Sequence, residues 1–361
     1  MKPTTDINDL EKLITVRLIQ EDAESVSSLM TTERDAIFAM AIMPYYALFI
    51  QSCQEYMGET FIEGEAAKQI KDIRNYIKAF GEGFGKSKRR VNSVDVNQDE
   101  QFRSQLRFDF MKNWNIHLNL GTYWTEDKHV IGNTQMYADF LGIDNVFDTE
   151  SGKKMREIGY QMGSFVSSVR EGLSKSMTIP EIGREKRNVS IDYFYDLNTN
   201  MNDVLFKDDT KTLNLFYLNL VSSMNFVKYI LRPMFSVSNT WLFRIEYIVT
   251  YYTYRALQRL NNYCENNTDI EIDIEELSNL LNIEKGLLQS KFRNCMMHYN
   301  IENQGVLSLE YIEKPFYGII ETCFEGMDFQ TFQSRLDGLS EAIIEYLEGH
   351  FNKEKIELQR L

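Results

Sequence analysis

Histidines are the residues of this chain best suited to proton transfer at neutral pH, because an imidazole with a pKa of about 6.5 exchanges protons there. The chain has four: His117, His129, His298 and His350. Only His298 has an arginine, Arg293, five to seven residues upstream, and Asn294 follows that arginine directly. An imidazole and a guanidinium at this spacing suit acid–base chemistry at a phosphate, because a guanidinium offers a planar, permanently charged fork to phosphate oxygens.

The same residues also fit ordinary structural roles. His298 could lie at the C-terminus of a helix, where a cation suits the helix dipole. Arg293 could pair with Glu284 or Glu302 on the surface. Cys295, Met296 and Met297 between them are typical of a buried core and are assigned no chemical role.

Helical geometry decides which of these side chains can meet. At about 100° per residue, Asn294 and His298 share one helix face, whereas Arg293 and His298 lie about 140° apart. Arg293 and His298 can therefore converge only if the helix ends here or if two protomers contribute to one site. Both arrangements are open at this stage.

The segment from Arg293 to His298 resembles the Rx4–6H motif of the HEPN superfamily, in its common RNxxxH form. Its surroundings are similar too. A long helical pattern with Trp241, Arg244 and Tyr247 precedes it, and an amphipathic pattern follows at the C-terminus. The resemblance covers roughly residues 212–361.

This resemblance implies a compact helical bundle that dimerises. In catalytic members, paired motifs form a metal-independent endoribonuclease site at the dimer interface. His298 would then act as base or acid on the ribose 2′-hydroxyl or the leaving oxygen, Arg293 would bind the scissile phosphate, and Asn294 would orient the site. The nucleophile belongs to the RNA, so neither cofactor nor metal is expected.

Two functions from different classes follow from the resemblance. The first is a metal-independent endoribonuclease, as in bacterial toxins and anti-phage defence effectors. The second is a catalytically inactive HEPN-like scaffold that dimerises and binds a protein or a nucleotide. RNA is the expected partner of the first, and the sequence does not identify an antitoxin or regulatory protein.

Charge and targeting signals restrict these functions. The net charge of −14 repels a phosphate backbone, so any contact with RNA requires a local basic groove. Four scattered cysteines without a CxxC pair argue against a zinc knuckle and are typical of reduced cytosolic thiols. No signal peptide is apparent, and the apolar run 36–54 predicts a buried core helix rather than a membrane span. We therefore expect a cytoplasmic protein that does not engage a membrane.

The elements that must position the motif are predicted to be helices. Apolar residues make up 43% of the chain, whereas prolines and glycines number only 5 and 19. Together with apolar spacings near 3.6 residues, this favours an all-α fold. The most broken stretch, 174–212, places a boundary between an N-terminal helical domain, 1–190, of unknown role and a HEPN-like helical bundle, 191–361, through which the chain would form a homodimer.

Three weaker patterns have two interpretations each. The glycine series 81–85 and the basic run 86–90 predict a linker and a solvated loop, or else a phosphate or RNA contact. One aromatic group could line a pocket or lie in the core: Trp114, His117, Trp124 and His129. A second group could stack on bases beside a basic strip or form core: Tyr247, Tyr251, Tyr252 and Tyr254.

Overall fold

The described residues of the computed structural model are mainly α-helical, as the composition and the apolar spacing predicted. Described are residues 7–31, 36–58, 61–104, 118–142, 149–174, 193–198, 205–207, 210–302, 304–355 and 359–360. The first half contains helices α1 (Ile7–Met30), α2 (Ala36–Met57), α3 (Gly64–Ala79), α4 (Phe84–Ser104), α5 (Thr134–Leu141) and α6 (Thr149–Ser174).

The second half of the chain is also mainly α-helical in its described residues. Its helices are α7 (Lys211–Asn225), α8 (Thr240–Cys264), α9 (Ile274–Asn282), α10 (Ser290–His298), α11 (Ile319–Cys323) and α12 (Phe329–Glu348). Helix α7 runs on through a π-helical segment, Phe226–Leu231, and stops in a short 3₁₀ turn that contains Pro233. Asn239 caps α8, its side chain accepting from the backbone N–H of Leu242 at 2.8 Å, as expected of an asparagine just before a run with helical spacing.

A small antiparallel sheet is the main departure from the predicted elements. Its strands are β1 (Leu118–Trp124), β2 (Val130–Asn133), β3 (Tyr193–Asn198) and β4 (Gln359–Arg360), in the order β2-β1-β3-β4. The sequence of residues 99–119 is compatible with a helix, but β1 begins at Leu118. Residues 120–124 are buried without alternation, so they lack the two-residue alternation of buried and exposed side chains that indicates a strand.

The interpretation of residues 81–90 as a linker and a loop is also wrong. Helix α4 begins at Phe84 and carries the whole basic run. The Phe84 ring is 2% exposed, with its centroid 5.1 Å from both the Phe216 and the Tyr263 ring centroids. That packing holds the start of the helix, so only a short turn around Gly81 separates α3 from α4.

Helix α2 is the most apolar helix of the core. It is long and apolar enough to cross a membrane by length and composition, and 78% of its most apolar stretch is buried within the fold. It packs against α3, α6 and α10. Its last turns therefore reach the segment that carries the predicted motif.

The predicted boundary near residue 190 lies outside the described residues, so the division into 1–190 and 191–361 stays a prediction. Helices from the two sides nevertheless share one continuous hydrophobic core. Buried polar contacts also cross it: Arg244 pairs with Asp22, and the Ser52 hydroxyl donates to the carbonyl of Met297. Any site on α10 is consequently built with side chains from the first half of the chain.

Candidate functional site

The predicted motif lies on α10, a short helix whose inner face is apolar. Phe292, Cys295, Met296 and Met297 are all buried, as their types predicted. Asn294 is exposed, while Arg293 and His298 are half-buried. The helix ends at His298, because Tyr299 adopts a left-handed conformation with φ 51°. The end of the helix at His298 is one of the two conditions under which Arg293 and His298 could converge, and a single chain meets it.

A buried ion pair holds this left-handed turn in place. A positive φ is unfavourable for a bulky residue and persists only where its surroundings hold it. The Tyr299 hydroxyl donates to Asp22 at 2.6 Å, and the Arg244 guanidinium lies 3.8 Å from the centre of the Tyr299 ring. Arg244 also pairs with Asp22, to which the Thr240 hydroxyl donates at 3.0 Å.

The side chains of Arg244 and Ser52 satisfy the carbonyls at the end of α10, which have no partner within the helix. Nε and Nη2 of Arg244 donate to the carbonyl of Met296 at 3.0 and 2.6 Å. The fully buried Ser52 hydroxyl of α2 donates to the carbonyl of Met297. His298 thus sits at a helix end that α1, α2 and α8 hold rigidly.

The His298 ring is held by Glu55 from α2 and approached by Arg74 from α3. Its Nδ1 lies 2.6 Å from Oε2 of Glu55, and Nη2 of Arg74 lies 3.4 Å from Nδ1 and 3.5 Å from Nε2. Since an ionised carboxylate only accepts hydrogen bonds, Nδ1 carries the proton of the neutral ring. Nε2 is then left with a lone pair.

Electrostatics favour this neutral ring. Burial lowers the pKa of His298 below its ordinary value, and the positive charges of Arg74 and Arg293 act in the same direction, while Glu55 opposes them. The side chain is still 34% exposed. A neutral, partly accessible imidazole can accept a proton at physiological pH, which general base catalysis requires.

Arg293 has no carboxylate partner among the described residues. Glu284 pairs instead with Arg335, and Glu302 accepts a hydrogen bond from the Tyr56 hydroxyl at 2.9 Å, so the surface pairings considered from the sequence do not form. The Arg293 guanidinium lies 5.5 and 5.7 Å from the ring centres of Tyr251 and Tyr252. Its Nε is buried without a hydrogen-bond partner.

Four cationic or ionisable groups lie close enough to act on one another electrostatically, and we call them the cationic cluster: Arg74, Lys78, Arg293 and His298. Burial lowers the pKa of Lys78, and the charges of Arg74 and Arg293 lower it further, so the three cations of the cluster repel one another. This concentration of positive charge contrasts with the net charge of −14 of the whole chain.

Three members of the site were missed from the sequence: Glu55, Arg74 and Lys78. Arg74 and Lys78 stand four residues apart on α3, so they share a helix face, and that spacing was the only local signal. Nothing local indicates that this face meets α10, more than 200 residues later.

The weaker constellations resolve mostly as core. Trp114 and His117 lie outside the described residues, whereas Trp124 is buried and His129 pairs with Glu348 at 2.9 Å. Of the four tyrosines of this row on helix α8, Tyr252 is half-buried and the others are buried: Tyr247, Tyr251 and Tyr254. Base stacking along that row is thereby limited to Tyr252.

Comparisons of the chain with protein-family models, with curated proteins and with solved structures find no match. Within the described part of the chain, no three His, Cys, Asp or Glu side chains converge as a group that could hold a metal ion.

Proposed function

We propose that this chain is a metal-independent endoribonuclease of the HEPN type, with the cationic cluster as its active site. The observation that carries the proposal is a neutral, carboxylate-oriented His298 within electrostatic reach of an Arg293 that has no carboxylate partner among the described residues. A base and an unneutralised guanidinium in one cluster fit a reaction at a phosphodiester.

In the proposed reaction the RNA attacks itself. Nε2 of His298 takes the proton from a ribose 2′-hydroxyl, and the 2′-oxygen forms a bond to the adjacent phosphorus. The bond to the 5′-oxygen breaks, which leaves a 2′,3′-cyclic phosphate and a 5′-hydroxyl end. Arg293 stabilises the charge on the non-bridging oxygens, and Asn294, exposed on the same helix face as His298, hydrogen-bonds the RNA.

The leaving 5′-oxygen needs a proton of its own, because His298 is occupied as the base. If two protomers pair their C-terminal bundles, the neutral His298 of one protomer acts as the base and the His298 of the other, in its protonated form, supplies that proton. We accordingly propose a homodimer with two motifs at its interface. Mass measurement of the protein in solution tests this part directly, and an active monomer would contradict it.

Cellular placement follows from the substrate. RNA is cytoplasmic in bacteria, and all four cysteines are free thiols, which suits a reducing compartment. We propose a cytoplasmic toxin or anti-phage defence effector. Arrested growth of cells that express the wild type, but not His298→Ala, supports that role, whereas normal growth under strong expression weighs against it.

The decisive experiment is cleavage of a mixed RNA pool by purified protein in EDTA. We expect the wild type to cleave, and His298→Ala and Arg293→Ala each to lose about 100-fold or more in rate. Arg156→Ala, which removes an exposed positive charge from α6, is the matched control and should cleave normally.

Other outcomes separate the two functions considered from the sequence. Cleavage that the two variants retain would show that the site is misassigned. A folded wild type that cleaves none of the pool, as a monomer or as a dimer, favours the inactive scaffold instead.

A further inference from the structure

Arg74 is the least compensated charge in the described part of the chain. The residue is only 5% exposed, and its Nε is buried without a hydrogen-bond partner. Nη1 donates to Oδ1 of Asn75 at 3.3 Å, and Nη2 reaches only the His298 ring. Among the described residues, no carboxylate lies within ion-pair distance of Arg74.

Arg244 shows how this chain compensates a buried guanidinium when the role is structural. Arg244 is 2% exposed, and it pairs with Asp22 and donates to the carbonyl of Met296. Burying a charge without such partners is costly, because the lost hydration is not replaced. Arg74 therefore lies in a position that an external anion, rather than the fold, would compensate.

Its neighbours strengthen this contrast. Lys78 and Arg293 add two more positive charges to the same cluster, and Nε of Arg293 is a second buried donor without a partner. Two carboxylates act on the group: Glu55, whose Oε2 is committed to His298, and Glu82, whose Oε2 pairs with Lys86. Two unused guanidinium donors beside an uncompensated set of cations match the acceptor oxygens of a phosphate.

We propose that Arg74 is a phosphate-binding residue, which together with Lys78 and Arg293 holds a backbone phosphate of the RNA beside His298. The identification of that phosphate as RNA rests on the proposed function, whereas the anion site itself does not. Because α3 belongs to the first half of the chain, substrate binding then depends on both halves.

Thermal unfolding with and without inorganic pyrophosphate tests the anion site without any need for activity. At about 10 mM pyrophosphate, and at matched ionic strength in sodium chloride, we expect the wild-type Tm to rise by about 2 °C or more. Arg74→Gln should lose this rise. The control Arg156→Gln, an exposed site on α6, should keep it.

Ligand-free stability distinguishes a binding role from a structural one. Removal of an uncompensated buried charge should leave the Tm of Arg74→Gln equal to or above that of the wild type, whereas removal of a structural arginine would lower it. If Arg74→Gln does not fold, the variant Lys78→Gln, at a half-buried position, takes its place and should reduce the pyrophosphate response. No wild-type response, or an undiminished response in these variants, overturns the proposal.

RNA kinetics then separate this inference from the proposed function. We expect Arg74→Gln to raise KM by about tenfold or more, since a charge-assisted bond to phosphate is lost, and Arg74→Lys to recover part of it. A pyrophosphate response without any RNA cleavage would support the anion site and contradict the ribonuclease activity. Normal KM and kcat in Arg74→Gln would contradict the role of Arg74 in RNA binding without contradicting the ribonuclease activity.

Discussion

Nδ1 of His298 lies 2.6 Å from Oε2 of Glu55, so a carboxylate of α2 orients the last residue of α10. The two residues are 243 positions apart in the chain. A carboxylate in this position fixes the tautomer of an imidazole and stabilises the imidazolium that forms when the ring takes a proton. The contact therefore joins the packing of two helices directly to the proposed chemistry.

The first prediction concerns the charge balance at His298. Glu55 raises the pKa of His298, whereas Arg74 lowers it, and burial keeps the net value below 6.5. Glu55→Gln should thus lower the pKa further, and Arg74→Gln should raise it. An NMR titration of the imidazole Cε1–H resonances measures both, with His298→Gln to assign the signal. Shifts of the same sign in the two variants would contradict the geometry.

The second prediction concerns the hydroxyl that satisfies the end of α10. Ser52 is fully buried, and its hydroxyl bonds the carbonyls of both Leu48 and Met297. Ser52→Ala leaves the Met297 carbonyl without this donor, which should cost about 1–3 kcal/mol in the free energy of unfolding. Urea denaturation measures the loss.

Ser168→Ala is the matched control for Ser52→Ala. The Ser168 hydroxyl is exposed and donates only to the carbonyl of Ser164 in its own helix, at 2.9 Å. We expect a change within about 0.5 kcal/mol for this surface site. Equal losses in the two variants would mean that the contact between α2 and α10 contributes nothing.

The third prediction concerns the buried ion pair beneath the motif. Arg244→Met strands the Asp22 carboxylate in the core and removes both donors to the Met296 carbonyl. The expected cost is about 3–5 kcal/mol, and the double variant with Asp22→Asn should recover part of it. Arg170→Met, which breaks the exposed pair with Glu24, should cost no more than about 1 kcal/mol.

The measurement is again urea denaturation, followed at constant pH with all variants at one protein concentration. A small loss in Arg244→Met, similar to that in Arg170→Met, would show that the left-handed turn at Tyr299 does not depend on this pair.

The fourth prediction concerns pH and Glu246 on α8. Burial raises the pKa of Glu246 to about 7; Arg232, 3.6 Å away, only partly opposes this. The Arg232 fork is bonded to Asp337 at 2.7 and 2.6 Å, which leaves Glu246 with the longer contact. The folded protein consequently holds a proton that the unfolded chain, with a carboxyl pKa of 4.5, releases.

Because the pKa of Glu246 is raised in the folded protein, its contribution to the free energy of unfolding must fall as the pH rises. The contribution of protonated Glu246 to stability is fully present below pH 4.5 and is lost as the pH rises through about 7. Relative to the wild type, Glu246→Gln should gain stability between these values, by an amount on the order of a few kcal/mol. Unfolding free energies of both proteins across this pH range are the measurement, and a pH-independent difference would refute the prediction.

Local patterns predicted the helices well where one face is apolar and the other polar. Helix α12 presents Phe332, Leu336 and Leu339 to the core, at the spacing that its sequence shows. The strands were not predicted, because β1 is buried without alternation. The prediction of a loop for the run 86–90 was wrong, because the packing of Phe84 extends α4 through it. In both cases tertiary burial overrode the local signal.

By itself the sequence determined the helical class, the apolar inner face of α10 and the candidate residues Arg293, Asn294 and His298, because short-range spacing governs each of these. Only the tertiary structure decided what surrounds His298. Glu55, Arg74 and Lys78 come from helices that local spacing orients but does not pair. Which helices meet depends on the packing of the whole core, and that packing makes a six-residue pattern part of a charged cluster.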